Sequence, residues 1–328
     1  MNKALLSLAI AAALPTSALA AGPIDGTIYG KVNVSAVNAD NSSDDAWKLN
    51  SNASRVGVKG KTELAEGIYA IYKAEFEVHV DDGDKNGDTF SQRNIYLGLT
   101  GDFGTVLAGK HDTALKLAQK KVDLFNDLEG DIKTLMPGET RASNILNYTS
   151  PKFADMLSVS FGTVLGEQAG DSEQDGLFDS YSTAVNFEQG GLYLALAADQ
   201  NVKSGSFEKV HVDILRGVAQ YKVGGLQLGA LVQTAENGDS SATAYEADSW
   251  FVSAKYTLGA YALKAQYGVT DANAAGVQQD VDSWSLGLDY KLAKSTKVFG
   301  FYTSRNNDVA LSAADEDNYF GLGMEHKF

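Results

Sequence analysis

The 328-residue chain has no cysteine, only four prolines, and no apolar run after residue 20 long enough to form a membrane helix. Each absence closes a route. Without cysteine there is no disulfide framework, no thiolate metal site and no cysteine nucleophile. Without about 20 consecutive apolar residues there is no helical span of a bilayer. Basic residues are outnumbered, 27 Lys+Arg against 42 Asp+Glu, giving a formal charge of −15. That balance argues against nucleic acid as a partner, because phosphate binding rests on Lys and Arg. The four histidines, at 79, 111, 211 and 326, show no metal-ligand spacing. No Gly-rich phosphate loop and no G-x-S-x-G elbow occur, so neither a cofactor nor catalysis is implied. The stretch Asp82-x-Asp84-x-Asn86-Gly87 opens like a calcium loop, but Arg93 stands where the closing Glu belongs. Disorder is excluded as well, since 44 % of the residues are hydrophobic.

What is present begins with an export signal. Met1–Ala20 carries Lys3, then an apolar stretch from Ala4 to Leu14, then Ala18-x-Ala20. This order predicts a secretory signal cleaved after Ala20 and a single domain over 21–328.

The remainder alternates with period two, the pattern of a strand with two unlike faces. From Ile24 to Ala36 the even positions read Ile, Gly, Ile, Gly, Val, Val, Ala, while the odd positions Thr27, Tyr29, Lys31, Asn33 and Ser35 are mostly polar. Sixteen such segments are expected, near 24–37, 52–62, 66–79, 90–100, 103–110, 142–150, 155–164, 179–189, 191–200, 210–223, 225–235, 247–258, 260–271, 280–292, 295–305 and 316–328. The segment at 90–100 breaks its alternation at Arg93-Asn94-Ile95. Short connections such as Gly224-Gly225 alternate with long polar ones such as 38–51, 111–141 and 271–279. An even number of long strands in such a meander predicts a closed, up-and-down, 16-stranded transmembrane β-barrel. Tyr29, Trp250, Tyr256, Tyr261, Tyr267, Trp284 and Tyr290 lie near the ends of the apolar faces, as interfacial girdles require. The last strand places Phe320, Leu322, Met324, His326 and the terminal Phe328 on one face.

These residues, in this order, resemble the general porin family of Gram-negative outer membranes, of the trimeric sixteen-stranded type. The likeness rests on Ile28-Tyr29-Gly30-Lys31-Val32, Ser54-Arg55-Val56-Gly57-Val58-Lys59-Gly60 and Phe90-Ser91-Gln92-Arg93-Asn94-Ile95-Tyr96-Leu97. It continues through Gly101-Asp102-Phe103-Gly104, Arg141–Pro151 and Phe328. The resemblance implies a homotrimer in the outer membrane, in contact with lipid and lipopolysaccharide. Each barrel would be a water-filled pore narrowed by an inward-folded third loop. Phe328 would serve as the signal read by the barrel-assembly machinery.

The third connection, about 30 residues long, stands out among its neighbours, and such loops are usually functional. Asp123, Asp127, Glu129 and Asp131 give it an acidic run, opposed by Lys31, Arg55, Lys59, Arg93 and Arg141. Carried over from the family, the basic residues would form one wall of a constriction and the carboxylates the other. A transverse field of this kind passes small hydrophilic solutes and ions and disfavours apolar ones. Lys116, Lys120, Lys121 and Lys133 bring the loop close to neutral, so ion preference does not follow from counting. Three other readings stay open at this point: a solute-selective channel, a barrel enzyme with a Ser/His or Asp/His pair at its rim, and a secreted β-rich adhesin.

Overall fold

The computed structural model describes residues 26–41, 45–83, 88–167, 176–204, 210–239, 244–310 and 315–328. The expected export signal and residues 84–87 of the calcium-like loop lie outside them. Seventeen strands follow one another among the described residues. The first six are β1 (Gly26–Asp40), β2 (Asp45–Ser51), β3 (Arg55–Ala65), β4 (Ile68–Val78), β5 (Phe90–Gly101) and β6 (Gly104–Asp112). After a long connection come β7 (Arg141–Thr149), β8 (Leu157–Val164), β9 (Ser180–Gln189), β10 (Leu192–Lys203), β11 (His211–Val223) and β12 (Leu226–Asn237). The chain closes with β13 (Tyr245–Leu258), β14 (Tyr261–Ala274), β15 (Val277–Ala293), β16 (Thr296–Val309) and β17 (Asp315–Lys327).

All strand pairings are antiparallel, and β17 pairs back onto β1, so the sheet closes. Both β2 and β3 pair with β1, along Val34–Asp40 and Gly26–Lys31 respectively. They are two halves of one stave, interrupted at Asn52–Ser54 where Ala53 takes a left-handed φ of 48°. The barrel therefore has sixteen staves.

The boundaries differ from the expected ones in one consistent way. The sequence reads 38–51 as a loop, yet β1 runs to Asp40 and β2 begins at Asp45, with Trp47 and Leu49 pointing outward. Likewise β14 and β15 continue to a turn at Ala275-Gly276 through what reads as a nine-residue polar loop. Pairing needs only backbone, and beyond the lipid zone both faces of a strand are wet. In the β14–β15 hairpin the outer face turns polar at Asp271, Asn273 and Asp280 and imitates a loop. Strand β2 keeps its alternation, Trp47 and Leu49 outward against Lys48 and Asn50, but over only seven residues.

The barrel is apolar outside and polar inside. Leu97, Leu263 and Leu286 are 64 %, 58 % and 53 % exposed on the outer face, while Gln266, Ser285 and Thr303 are buried on the inner one. A water-soluble sheet is built the other way round, so the outer face is solvated by lipid. Tyr261 and Tyr290 touch at 4.8 Å near the short turns. Six residues along the strand, Trp250 and Tyr267 touch at 5.3 Å and Trp284 and Tyr302 at 5.2 Å. The two aromatic rows are about 20 Å apart along the chain, as girdles flanking an apolar band should be.

The final residue helps to close the barrel. Gly30 N donates to Phe328 O at 3.0 Å, and Phe328 N donates to Gly30 O at 3.1 Å. The Phe328 ring lies where a side chain on residue 30 would stand, so the seam needs glycine there. Deleting Phe328 should remove about 1–3 kcal/mol of pairing at the seam. The expected result is a lower temperature for the folded-to-unfolded band shift on SDS gels. An unchanged temperature would show that the seam does not depend on this residue.

Candidate functional site in the barrel lumen

The segment between β6 and β7 lies against the inner faces of the later strands. It opens with a short helix, α1 (Ala114–Ala118), whose N-cap Thr113 accepts from Lys116 N at 3.3 Å. A 3-10 turn over Ile132–Thr134 follows, capped by Asp131 accepting from Lys133 N at 2.9 Å. Leu115, Val122, Ile132, Leu135 and Met136 are fully buried against lumen-facing Tyr193, Leu231, Phe251 and a field of alanines. The small wall side chains make room for the loop. Strand β10 records this in its sequence: Leu192, Leu194 and Leu196 face lipid while Tyr193, Ala195 and Ala197 face inward, so both faces are apolar.

Polar bonds hold the segment at two points. Near its end, Arg216 of β11 is completely buried. Its Nε donates to Gln233 Oε1 at 2.7 Å, Nη1 to Glu139 Oε1 at 3.1 Å and Nη2 to Pro137 O at 3.0 Å. Gln119 Nε2 donates to the second Glu139 oxygen at 2.9 Å. Gly138 takes φ +107°, and a Cβ on it would lie 2.6 Å from Arg216 Nη2. At the middle of the loop, Gln266 Oε1 accepts from Leu124 N at 3.0 Å and its Nε2 donates to Gly130 O at 2.5 Å. Burial pushes the Glu139 carboxyl above the usual carboxylate range, the nearby Arg216 charge opposing but not cancelling it.

The expected acidic residues divide into two pairs. Asp127 and Glu129 face the lumen wall. Asp127 Oδ2 accepts from Lys31 Nζ and from Arg55 Nη2, both at 2.9 Å. Glu129 Oε1 accepts from Asn50 Nδ2 of β2 at 2.7 Å. Asp123 and Asp131 are turned into the loop, contrary to their assignment to the acidic face. Asp123 accepts from Phe125 N at 2.8 Å and Ile132 N at 3.1 Å. Asp131 accepts from Asp127 N at 2.8 Å as well as capping the 3-10 turn. Their carboxylates satisfy loop amides that burial would otherwise strand. Full burial, reinforced by the Asp131 charge, pushes the Asp123 carboxyl well above its usual range.

The basic residues come from neighbouring strands. Lys31 and Arg55 sit directly opposite in register, a like-charge pair that is unfavourable unless an anion bridges it. Asp127 is that anion, held in a left-handed conformation at φ +69° that Asp tolerates better than most residues. Burial acts to raise the Asp127 carboxyl, but the Lys31 and Arg55 charges outweigh it and hold the group below its usual range.

Arg93 reaches the lumen through a bulge. Ala74 pairs with Ile95 and Phe76 with Gln92, so Arg93 and Asn94 together oppose Glu75 and both point inward. This is the physical origin of the broken alternation at 90–100. Arg93 Nε then bonds Glu75 at 3.1 Å and Nη1 bonds Glu77 at 2.6 Å. Glu75 is almost completely buried, accepts from Tyr29 OH at 2.8 Å and pairs with Lys73 at 3.1 Å. Arg141 donates from Nε to Asn94 Oδ1 at 2.7 Å and pairs with Asp112 at 3.1 Å. Lys59 stands apart, exposed, with Nζ 5.1 Å from the centroid of the Tyr29 ring.

Glu75, Glu77, Asp112, Glu139, Arg216 and Gln266 were not anticipated as site residues. The inward parity of Glu75 and Glu77 was legible in β4. The pairing of Arg216 with Glu139 spans 77 positions, and no local pattern signals it.

A closed sixteen-stave barrel, apolar where it meets lipid, polar inside and partly filled by one of its own connections, is the architecture of an outer-membrane porin. The comparisons agree. The model of the Gram-negative porin family matches residues 6–310. "Outer membrane porin protein 32" of Delftia acidovorans is 26 % identical over 343 residues, covering 99 % of this chain and 95 % of the relative. "Major outer membrane protein P.IB" of Neisseria meningitidis serogroup B is 25 % identical over 352 residues, covering all of both chains. Among solved structures, the anion-selective porin from Comamonas acidovorans superposes with a TM-score of 0.77 at 22 % identity, over 93 % of this chain and 100 % of that one. The chain belongs to the Gram-negative porin family. It is a protein of the outer membrane whose barrel encloses a water-filled channel for passive diffusion of small hydrophilic solutes and ions.

Proposed function

We propose that the lumen is constricted where Asp127 meets Lys31 and Arg55, and that this region filters solutes by size and charge. The carrying observation is the double bridge from one loop carboxylate to two cations on adjacent strands. Arg93 and Arg141 extend the basic side, Lys59 lies at its margin, and Glu129 extends the acidic side. Asp123 and Asp131 contribute by stiffening the loop. With cations and carboxylates interleaved, the filter favours small polar solutes over apolar ones and carries a weak ion preference. We further infer a homotrimer, since the related OmpT of Vibrio cholerae is recorded in a trimer form, matching this fold with a TM-score of 0.69 at 18 % identity over 93 % of this chain and 99 % of that one. The apolar belt would then meet neighbouring barrels as well as lipid and lipopolysaccharide. Phe328 would double as the signal read by the assembly machinery.

The Asp127 bridge gives a pH test. A carboxyl whose folded pKa is depressed contributes its stabilisation above the unfolded value and loses it as pH falls through the folded one. The bridge should thus persist from neutral pH to about pH 4 and weaken only below that. Reversal potentials in a KCl gradient should move towards chloride permeability below that pH. A shift already complete at pH 6 would contradict the bridged geometry.

A further inference from the structure

The wall facing the proposed constriction carries lysines that form no ion pair among the described residues. On β12, Gln227 lies directly opposite Lys222 of β11 on one side and Lys255 of β13 on the other. The two lysine backbones therefore stand about 10 Å apart, two strand spacings, with both side chains on the lumen face. The Gln227 Nε2 donates to Lys121 O at 2.9 Å, which fixes a third lysine, from the inward loop, over the same point. Among the described residues, no carboxylate lies within ion-pair distance of Lys121, Lys222 or Lys255. Asp289, the carboxylate that acts on Lys255, is already held by Lys264 Nζ and Lys297 Nζ, each at 2.9 Å.

Two features argue against three ordinary solvated lysines. Lys255 sits directly opposite Lys264, a like-charge cross-strand pair that a sheet normally avoids. Nearby cations that have only a structural part are paired, for Lys120 and Lys152 share Glu188 at 3.0 and 3.1 Å. In a chain of net charge −15, a lumen cluster with no ion-paired carboxylate among the described residues stands against the overall field. Confined within low-dielectric walls, it concentrates anions locally.

We propose that Lys121, Lys222 and Lys255, gathered around Gln227, form a binding site for a small multivalent anion on the permeation path. Three ammonium groups, each a compact charge with three donors, suit an anion carrying several adjacent oxygens. Lys121 and Lys255 line the same cavity as the Asp127 bridge but share no partner with it, and the site rests only on the barrel being an open pore.

Single-channel recording in planar bilayers tests it, with inorganic pyrophosphate as the probe and KCl as the carrier. Chloride and potassium steps report the pore itself, so a closed pore and an absent site give different results. The unaltered protein should show saturable, concentration-dependent block by pyrophosphate. Lys222→Gln and Lys255→Gln should each raise the half-blocking concentration roughly fivefold. Lys61→Gln removes a lumen lysine on the far wall, which stacks 3.8 Å from the Tyr69 ring centroid. It should leave the half-blocking concentration unchanged. Conducting channels without block, or equal weakening by Lys61→Gln, would overturn the proposal.

Discussion

Replacing Arg216 by methionine should release the inward loop while leaving the barrel closed. Arg216 is the buried cation that Glu139 and Pro137 O depend on, and methionine keeps much of its volume but none of its donors. Removing one partner of a buried pair costs about 3–5 kcal/mol, because the other charge is left uncompensated. That penalty shifts the docked-to-released ratio of the loop by about 10²–10⁴-fold. The barrel seams between strands are untouched, so SDS-gel heat modifiability should persist while single-channel conductance rises and becomes noisy.

The pH dependence of this variant follows from Glu139. Its folded pKa is raised by burial, so the docked loop binds the proton more tightly than the released one. For such a group stability increases as pH falls through the folded value and is complete below the unfolded one. Without Arg216 that dependence should be steeper, and lowering pH towards about 4 should quieten the Arg216→Met channel. The double variant Arg216→Met/Glu139→Leu removes the stranded charge and should recover quiet openings at neutral pH. Conductance of Arg216→Met identical to that of the unaltered protein would refute the latch.

The second large effect concerns ion preference. Replacing Arg55 and Arg93 together by glutamine should turn the channel towards cations. In the unaltered protein Arg93 neutralises Glu75 and Glu77, while Arg55 and Lys31 share Asp127. Removing two cations leaves three carboxylates with Lys31 and Lys73 as their main partners. Unpaired charge in a narrow, low-dielectric passage acts strongly on ions, and a change of ~3–10-fold in the chloride-to-potassium permeability ratio is expected. The reversal potential in a KCl gradient measures it. The converse substitution, Asp127→Asn, frees two cations and should move the ratio the other way. Shifts of the same sign in both variants would remove these residues from the filter.

The staves were legible because lipid outside and water inside impose a period of two on every crossing. Legibility failed where one of those conditions failed or the segment was short. At the β14–β15 hairpin the outer face turns polar at Asp271, Asn273 and Asp280 and reads as loop. Strand β2 alternates, Trp47 and Leu49 outward against Lys48 and Asn50, but is too short between polar stretches to stand out. At Arg93-Asn94 a bulge puts two successive side chains into the lumen. Along β10 the inward face is covered by the loop, so Tyr193, Ala195 and Ala197 are apolar where a wet lumen would ask for polar groups. The last of these is a usable signal: a barrel strand that is apolar on both faces marks where an inserted segment docks.

The charged site was legible by residue type and only partly by partner. Lys31 and Arg55 could be placed on inward faces from parity, whereas Arg93, which shares parity with the outward Leu97 and Leu99, and Arg141 were placed by the family likeness. Asp123 and Asp131 share composition and position with Asp127 and Glu129. What separates the pairs is which backbone amides the folded loop leaves unsatisfied, and that is a property of the loop's conformation. Arg216 lies on an inward face like many polar residues, and only the docked loop makes it a buried anchor.

The central claim is that each chain forms its own open, water-filled passage narrowed by its own loop. The most direct measurement is the conductance of purified protein added to a planar bilayer in KCl. Stepwise insertions in units of three equal openings, linear in voltage near zero, are the predicted result. Bilayers that stay silent with folded, heat-modifiable protein present would contradict it.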